Sequence, residues 1–139
     1  MALTYISPLH RATRQIALWF EQQLPGRTAG EGHLLTYLVP YGPCPVSELV
    51  RVFGTRHSTM TSMLDRMEKN GLVARKPNPN DRRSLLVAAT AKGTRATARV
   101  NAVLERLERA IGARVSKADR AGFENVLEAI AAATKTKVR

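Results

Sequence analysis

Residues 45–71 read PVSELVRVFGTRHSTMTSMLDRMEKNG, and two apolar stripes at helical spacing run through them. Val46, Leu49, Val50 and Phe53 recur every three or four residues, which predicts one buried face on a short third helix. Pro45 suits the first position of that helix, where no amide hydrogen is needed, and Gly54 suits the left-handed turn that ends it. Met60, Met63, Leu64 and Met67 repeat the stripe over a fourth helix, about 56–70, closed by Gly71. The methionines are read as core. Two helices joined within a few residues around a glycine predict a helix-turn-helix.

The other face of the fourth helix carries Ser58, Thr59, Thr61, Ser62, Asp65 and Arg66, with Arg56 and His57 just ahead of them. Hydroxyl residues are mediocre helix formers, so four of them within 58–62 imply a task for that face. Slim hydrogen-bonding side chains near a helix N-terminus are what a major groove, about 12 Å wide, can admit to its base edges. The positive end of the helix also suits phosphate. His57 either touches DNA and titrates near neutrality or is simply exposed.

Downstream, the pattern changes to short strands. Leu72 to Arg75 and Ser84 to Ala89 are strand candidates, and the prolines and asparagines of Lys76 to Arg83 predict the turn between them. The tip is basic. Arg82 and Arg83 sit on a loop thin enough for a narrow minor groove, whose negative potential favours guanidinium. Arg75, Lys76 and Arg51 can flank these readers and meet phosphates, which give orientation rather than sequence preference. Asp81 is read as structural, holding Arg83 or Arg75. Helix, turn, helix and hairpin together make a winged helix over residues 28–90, with a recognition helix at about 56–70 and a wing at about 75–84.

Further out, a first helix is expected after Ser7, with Pro8 at its first position and Leu9, Ile16, Trp19 and Phe20 as its stripe, before Pro25-Gly26. Thr28 and Glu31 predict a capping box for a second helix, with Leu34, Leu35 and Leu38 inward and Pro40 to Pro43 as its stop. Thr90 is the expected cap of a fifth helix whose stripe is Val100, Val103, Leu104, Leu107 and Ile111. Ser116 and Asp119 form a second capping box, for a sixth helix with Phe123, Val126, Leu127 and Ile130 inward. The basic end, 135–139, is expected to fray.

These apolar faces are more than a small winged helix can cover, and a second copy of the chain supplies the missing surface. The expected fold class is therefore mainly α (α+β). A single domain of residues 1–139 holds a winged helix-turn-helix, and helices from 1–26 and 91–139 form an intertwined dimerisation lobe. Two recognition helices would then lie about one duplex turn apart, on the order of 34 Å.

The 139 residues carry 22 Lys and Arg against 11 Asp and Glu, a formal charge of +11, so polyanions are the natural partners. Double-stranded DNA leads and an anionic membrane surface follows. No apolar run approaches the roughly 20 residues of a membrane span, and the first fifteen residues show no secretory leader. Cys44 is the one cysteine, which fits a reducing, cytoplasmic setting, and it is read as an inert packed thiol. His10, His33 and His57 are far apart, so no metal and no cofactor are expected. The chain lacks GxSxG, P-loop and GxGxxG signatures, and no enzyme is expected.

From about Leu34 to Gly93 the sequence resembles the MarR family of regulators. Ser47-Glu48-Leu49 resembles the start of the family's helix before the turn. Ser58-Thr59-Met60-Thr61 with residues 64–73 resembles its recognition helix and following strand. Asp81-Arg82-Arg83 followed by Thr90-Ala91-Lys92-Gly93 resembles its wing signature. The resemblance implies an obligate homodimer, a palindromic operator and, in many members, release of DNA by a small anionic aromatic effector bound between the lobes. His10, Arg14, Trp19, His33 and Tyr37 are the candidates for such a pocket, although a tryptophan such as Trp19 is more often core and the others are often surface. The first helix has no cysteine, which argues against the oxidant-sensing variety. The alternative function is a sequence-nonspecific, nucleoid-associated DNA-binding protein, which the charge alone would permit. A protein-interaction module is a further alternative, and the basic wing speaks against it.

Overall fold

A computed structural model describes residues 2–136 and 138; Met1, Lys137 and Arg139, the last two within the end expected to fray, lie outside the described residues. The elements in chain order are α1 (Ile6–Gln23), α2 (Ala29–Tyr41), β1 (Cys44–Pro45), α3 (Val46–Phe53), α4 (His57–Lys69), β2 (Val73–Asn78), β3 (Asp81–Ala89), α5 (Ala91–Gly112) and α6 (Lys117–Thr134). The three strands form one antiparallel sheet in the order β1-β3-β2.

Several local signals act as the residues demand. Gly54 ends α3 at φ +61°, and Gly71 follows α4 at φ +74°, both in the left-handed region that favours glycine. The Thr90 and Ser116 hydroxyls accept the Gly93 and Asp119 amides and so cap α5 and α6. Other boundaries move. Helix α1 opens at Ile6 with Tyr5 rather than Ser7 at its cap. Pro8 fits inside the first turn because amides there have no helical acceptor in any case. Pro45 is the cap of α3 rather than its first residue, since it pairs with Leu86 as part of β1. At α2 only half of the capping box forms: Thr28 accepts from the Glu31 amide at 3.2 Å, while the Glu31 carboxylate is buried and meets Arg66 instead.

The wing is longer than its turn-rich sequence suggests. Lys76 pairs with Leu86 and Pro77 with Leu85, so the strands continue to Asn78 and Asp81. The tip is tightened by side chains: the Asn80 amide donates to Asn78 Oδ1 and the Arg83 amide to Asp81 Oδ1, each at 3.0 Å.

Two cores divide the molecule. Leu34, Leu35, Leu38, Leu49, Met60, Leu64, Met67, Leu72, Val73 and Val87 bury one another between α2, α3, α4 and the sheet. A smaller cluster of Phe20, Val100 and Val103, backed by Trp19, Leu24 and Leu104, joins α1 to α5. Phe20 approaches so closely that a β-carbon on Gly32 would strike its ring. Helix α5 contributes Ala96 to the first core and Val100 to the second.

The outer helical faces stay uncovered in one chain. Helix α6 buries no residue. Phe123 is 55% and Leu127 43% exposed, and Ile16 and Ile111 are exposed as well. Their expected inward orientation is therefore not met within a single copy.

Candidate nucleic-acid interface

Helix α4 is two-sided. Met60, Met63, Leu64 and Met67 are all buried, and this fixes the direction of everything else on the helix. Arg56, His57, Ser58, Thr59, Ser62, Asp65 and Arg66 are exposed, and Thr61 is half-buried. The Thr61 hydroxyl lies 3.4 Å from His57 Nδ1, one turn apart. Arg56 caps α4 without a side-chain hydrogen bond, and the first turn holds no acidic residue. The positive end of the helix dipole is thus flanked by cationic and hydroxyl groups with no internal anion nearby in sequence.

The wing stands beside this helix, with β2 packed against α4. Lys76, Arg82 and Arg83 are exposed and make no ion pair among the described residues. Asp81 shapes the turn through the backbone amide of Arg83 rather than by gripping an arginine side chain. A residue two positions away on a tight tip presents its amide more readily than its guanidinium. Arg75 differs from its basic neighbours. Its Nη2 donates to Asp65 at 2.6 Å and its Nε to Glu68 at 2.7 Å, and its side chain is only 20% exposed. The hydrogen bond to Glu68, then that to Asp65, raises its pKa further above the ordinary arginine value. The phosphate contact expected of Arg75 would have to break these bonds. Arg66 is also paired, its Nε lying 3.5 Å from Glu31 Oε1, while most of its side chain remains exposed.

The five residues expected to line an effector pocket are divided between α1 and α2. His10 and Arg14 are exposed on α1, and Trp19 packs on the Phe20 cluster. His33 and Tyr37 belong to α2 and meet at Phe53 of α3, with ring centroids 4.8 Å and 5.6 Å from it, both edge-on. The Tyr37 hydroxyl donates to Glu48 Oε1 at 3.0 Å. Partial burial lowers the pKa of His33 below the usual imidazole value. A cavity of about 240 Å³ lies elsewhere, lined by Leu24, Pro25, Arg27, Ala96 and Arg99 between the α1–α2 connection and α5. Its two arginines were not among the sequence candidates, because nothing in their spacing brings residues 27 and 99 together.

Cys44 is buried in β1, opposite Val87. Burial, and then the charge of Glu48, push its thiol up to about 11. No group of three or more His, Cys, Asp or Glu residues that could hold a metal ion occurs among the described residues. No described helix is long and apolar enough to cross a membrane.

Comparison with known proteins agrees with this geometry. Residues 28–85 match the model of the MarR family. The uncharacterized HTH-type transcriptional regulator YcgE of Bacillus subtilis (strain 168) is 41% identical over 46 residues, which cover 33% of this chain and 30% of that protein. The match thus spans less than a third of the relative's length. Among solved structures, the S. aureus MepR–DNA complex superposes with a TM-score of 0.88 at 16% identity, covering 96% of this chain and 99% of that one. A probable transcriptional regulator from Pseudomonas aeruginosa is 27% identical with a TM-score of 0.75, covering 88% of this chain and 92% of that one.

Proposed function

We propose, from the match of residues 28–85 to the MarR family model, that the protein is a sequence-specific, double-stranded-DNA-binding transcriptional regulator of that family that acts as a homodimer. One observation carries the reading: a helix locked by four buried apolar residues turns a hydroxyl-rich face outward beside a wing whose Lys76, Arg82 and Arg83 have no ion-pair partner among the described residues. MepR, which shares the fold, is known as a DNA complex.

In this assignment α4 enters the major groove, where Ser58, Thr59, Thr61 and Ser62 meet base edges and Arg56, His57 and Arg66 stand at the flanks. Arg82 and Arg83 enter the minor groove, Lys76 meets phosphate, and Asp81 holds the wing's turn. The uncovered apolar faces of α1, the end of α5 and α6 meet those of a second copy, giving a palindromic target. The dimer works on DNA in the cytoplasm, where reducing conditions keep the thiol of Cys44 intact, and it represses rather than catalyses. A small anionic aromatic compound is the ligand class for its regulation. Trp19 packs in the same cluster as Leu24, which borders the Arg27–Arg99 cavity, so its fluorescence reports such binding.

The test is competition binding between DNA upstream of the protein's own gene and a random duplex of equal length. Preference of about 10³-fold for a site holding two chains is expected. Equal affinity for every duplex, in this assay and after selection from a random library, would establish the sequence-nonspecific alternative.

A further inference from the structure

Three successive carbonyl groups follow the last turn of the recognition helix, that of its C-cap residue Asn70 and those of Gly71 and Leu72 just beyond it, and a helix cannot satisfy its terminal carbonyls internally. All three accept from the start of α5. Lys92 Nζ donates to the Asn70 carbonyl at 2.7 Å, Thr90 Oγ1 to that of Gly71 at 2.5 Å, and the Thr90 amide to that of Leu72 at 3.0 Å. The Thr90 hydroxyl also accepts the Gly93 amide at 3.0 Å, so one group caps α5 and holds the turn that follows α4. The stem of Lys92 crosses Gly71, where an added β-carbon would lie 3.6 Å from Lys92 Cδ.

Lys92 stands at the wrong end of its own helix. A cation in the first turn of α5 opposes the dipole of α5, whereas a cation at the Asn70 carbonyl favours the dipole of α4. The placement of the ammonium is therefore explained by α4. Helix α5 continues from this joint past Ala96 in the DNA-side core to Val100 and Val103 in the second cluster. Ser58 lies twelve residues before Asn70, roughly 18 Å along the axis at 1.5 Å per residue. A 10° swing about the joint would displace Ser58 by about 3 Å, the length of a hydrogen bond.

We propose that Lys92 is a positioning residue for DNA recognition: its bond to the Asn70 carbonyl sets the angle between α4 and α5, and so the span between the two recognition helices of the dimer. The proposal rests on the regulator function above. It places Lys92 outside the DNA contact itself.

The test uses the full-length dimer, the operator recovered by selection from random duplexes, and an isolated half-site, across a salt series. Lys92→Met keeps the stem and removes the ammonium, Lys92→Gln is too short to reach, and Lys92→Arg restores a donor. Circular dichroism checks that each variant is folded. Lys92→Met and Lys92→Gln are expected to bind the whole operator about 10-fold more weakly, with half-site affinity within twofold of the wild type and an unchanged salt slope. Lys92→Arg is expected to recover most of the loss. A loss shared equally by operator and half-site, with the slope reduced by about one, would identify a phosphate contact and overturn the proposal. Unchanged operator affinity in the folded variants would overturn it as well. A wild-type chain that enriches no sequence would overturn the regulator function and this inference together, a result distinct from the other two.

Discussion

The guanidinium of Arg75 lies 2.6 Å from the carboxylate of Asp65, a bond that ties the foot of the wing to the middle of α4. Its second bond, to Glu68, reaches the next turn of the same helix. One wing residue thus braces α4 and neutralises two of its acids. In the function proposed above, the basic residue at position 75 assists DNA binding through α4 rather than by a phosphate contact of its own.

Replacing Arg75 by Met separates these effects. Asp65 and Glu68 are well exposed, 59% and 44% at the side chain, so the stability lost is small, about 0.5–1 kcal/mol in a urea titration. Operator affinity is expected to fall further than that, because two unpaired carboxylates remain on α4. The salt slope should stay the same, since no phosphate contact is removed; a slope reduced by one would show that Arg75 leaves its partners for DNA.

Arg82 and Arg83 predict the opposite signature. Neither makes an ion pair among the described residues. Arg82→Ala or Arg83→Ala should leave thermal unfolding unaltered, weaken operator binding and lower the salt slope by about 0.9 for each phosphate that is no longer neutralised. Anisotropy titrations at several salt concentrations measure this, and an unchanged slope would remove the wing from the interface.

Gly93 has no room for a side chain, because a β-carbon there would run into the Leu72 carbonyl oxygen. A backbone group cannot step aside as a flexible side chain can. Gly93→Ala is expected to cost about 1–3 kcal/mol and to lower the melting temperature by several degrees. A variant that melts with the wild type would mean that the joint between α4 and α5 is loose.

Cys44 supplies a pH dependence. Its thiol is raised from 9.0 to about 11, first by burial and then by Glu48, so the folded chain holds its proton longer than the unfolded one. Below pH 9 both states are protonated and this contribution is fully present; between pH 9 and about 11 the unfolded state ionises first and stability falls. Urea unfolding at pH 8, 9.5 and 10.5 should show a steeper decline for the wild type than for Cys44→Ala. Near pH 7 the thiol should also resist alkylation until denaturant is added.

Phe123 tests the dimer. It is 55% exposed on a helix that buries nothing in one chain. Phe123→Glu is expected to shift sedimentation from twice 15.3 kDa toward 15.3 kDa and to weaken operator binding in parallel. A wild-type chain that sediments at 15.3 kDa would remove the second copy from the model of binding.

Much of the lobe around α4 was legible because its signals are local. The stripe of Met60, Met63, Leu64 and Met67 gives both the helix and its buried face, and Gly54 and Gly71 mark the ends through conformations that other residues avoid. The length of the wing was not legible. Lys76 to Asn78 and Asp81 to Arg83 have turn-forming composition, and only pairing across the hairpin makes them strand. β1 has no signal of its own, since two residues become a strand only where β3 offers an edge. Among site residues, the outward face of α4 follows from period alone, whereas the partners of Arg75 and Arg66 lie 7 to 35 residues away on other elements. The expected pocket likewise draws on residues of two helices. His33 and Tyr37 share a face of α2, but whether His10 and Arg14 approach them depends on helix crossing angles that sequence spacing does not carry.

The strand order β1-β3-β2 leaves the six-residue strand β2 with one unpaired margin, and such margins invite other molecules to add a strand. Pro77 offers no amide hydrogen to a newcomer, and Lys76 beside it brings a charge that an identical strand would have to face. Two wings that collide in a crowded solution therefore repel and mismatch instead of fusing into a common sheet, and the composition of that margin protects it from aggregation.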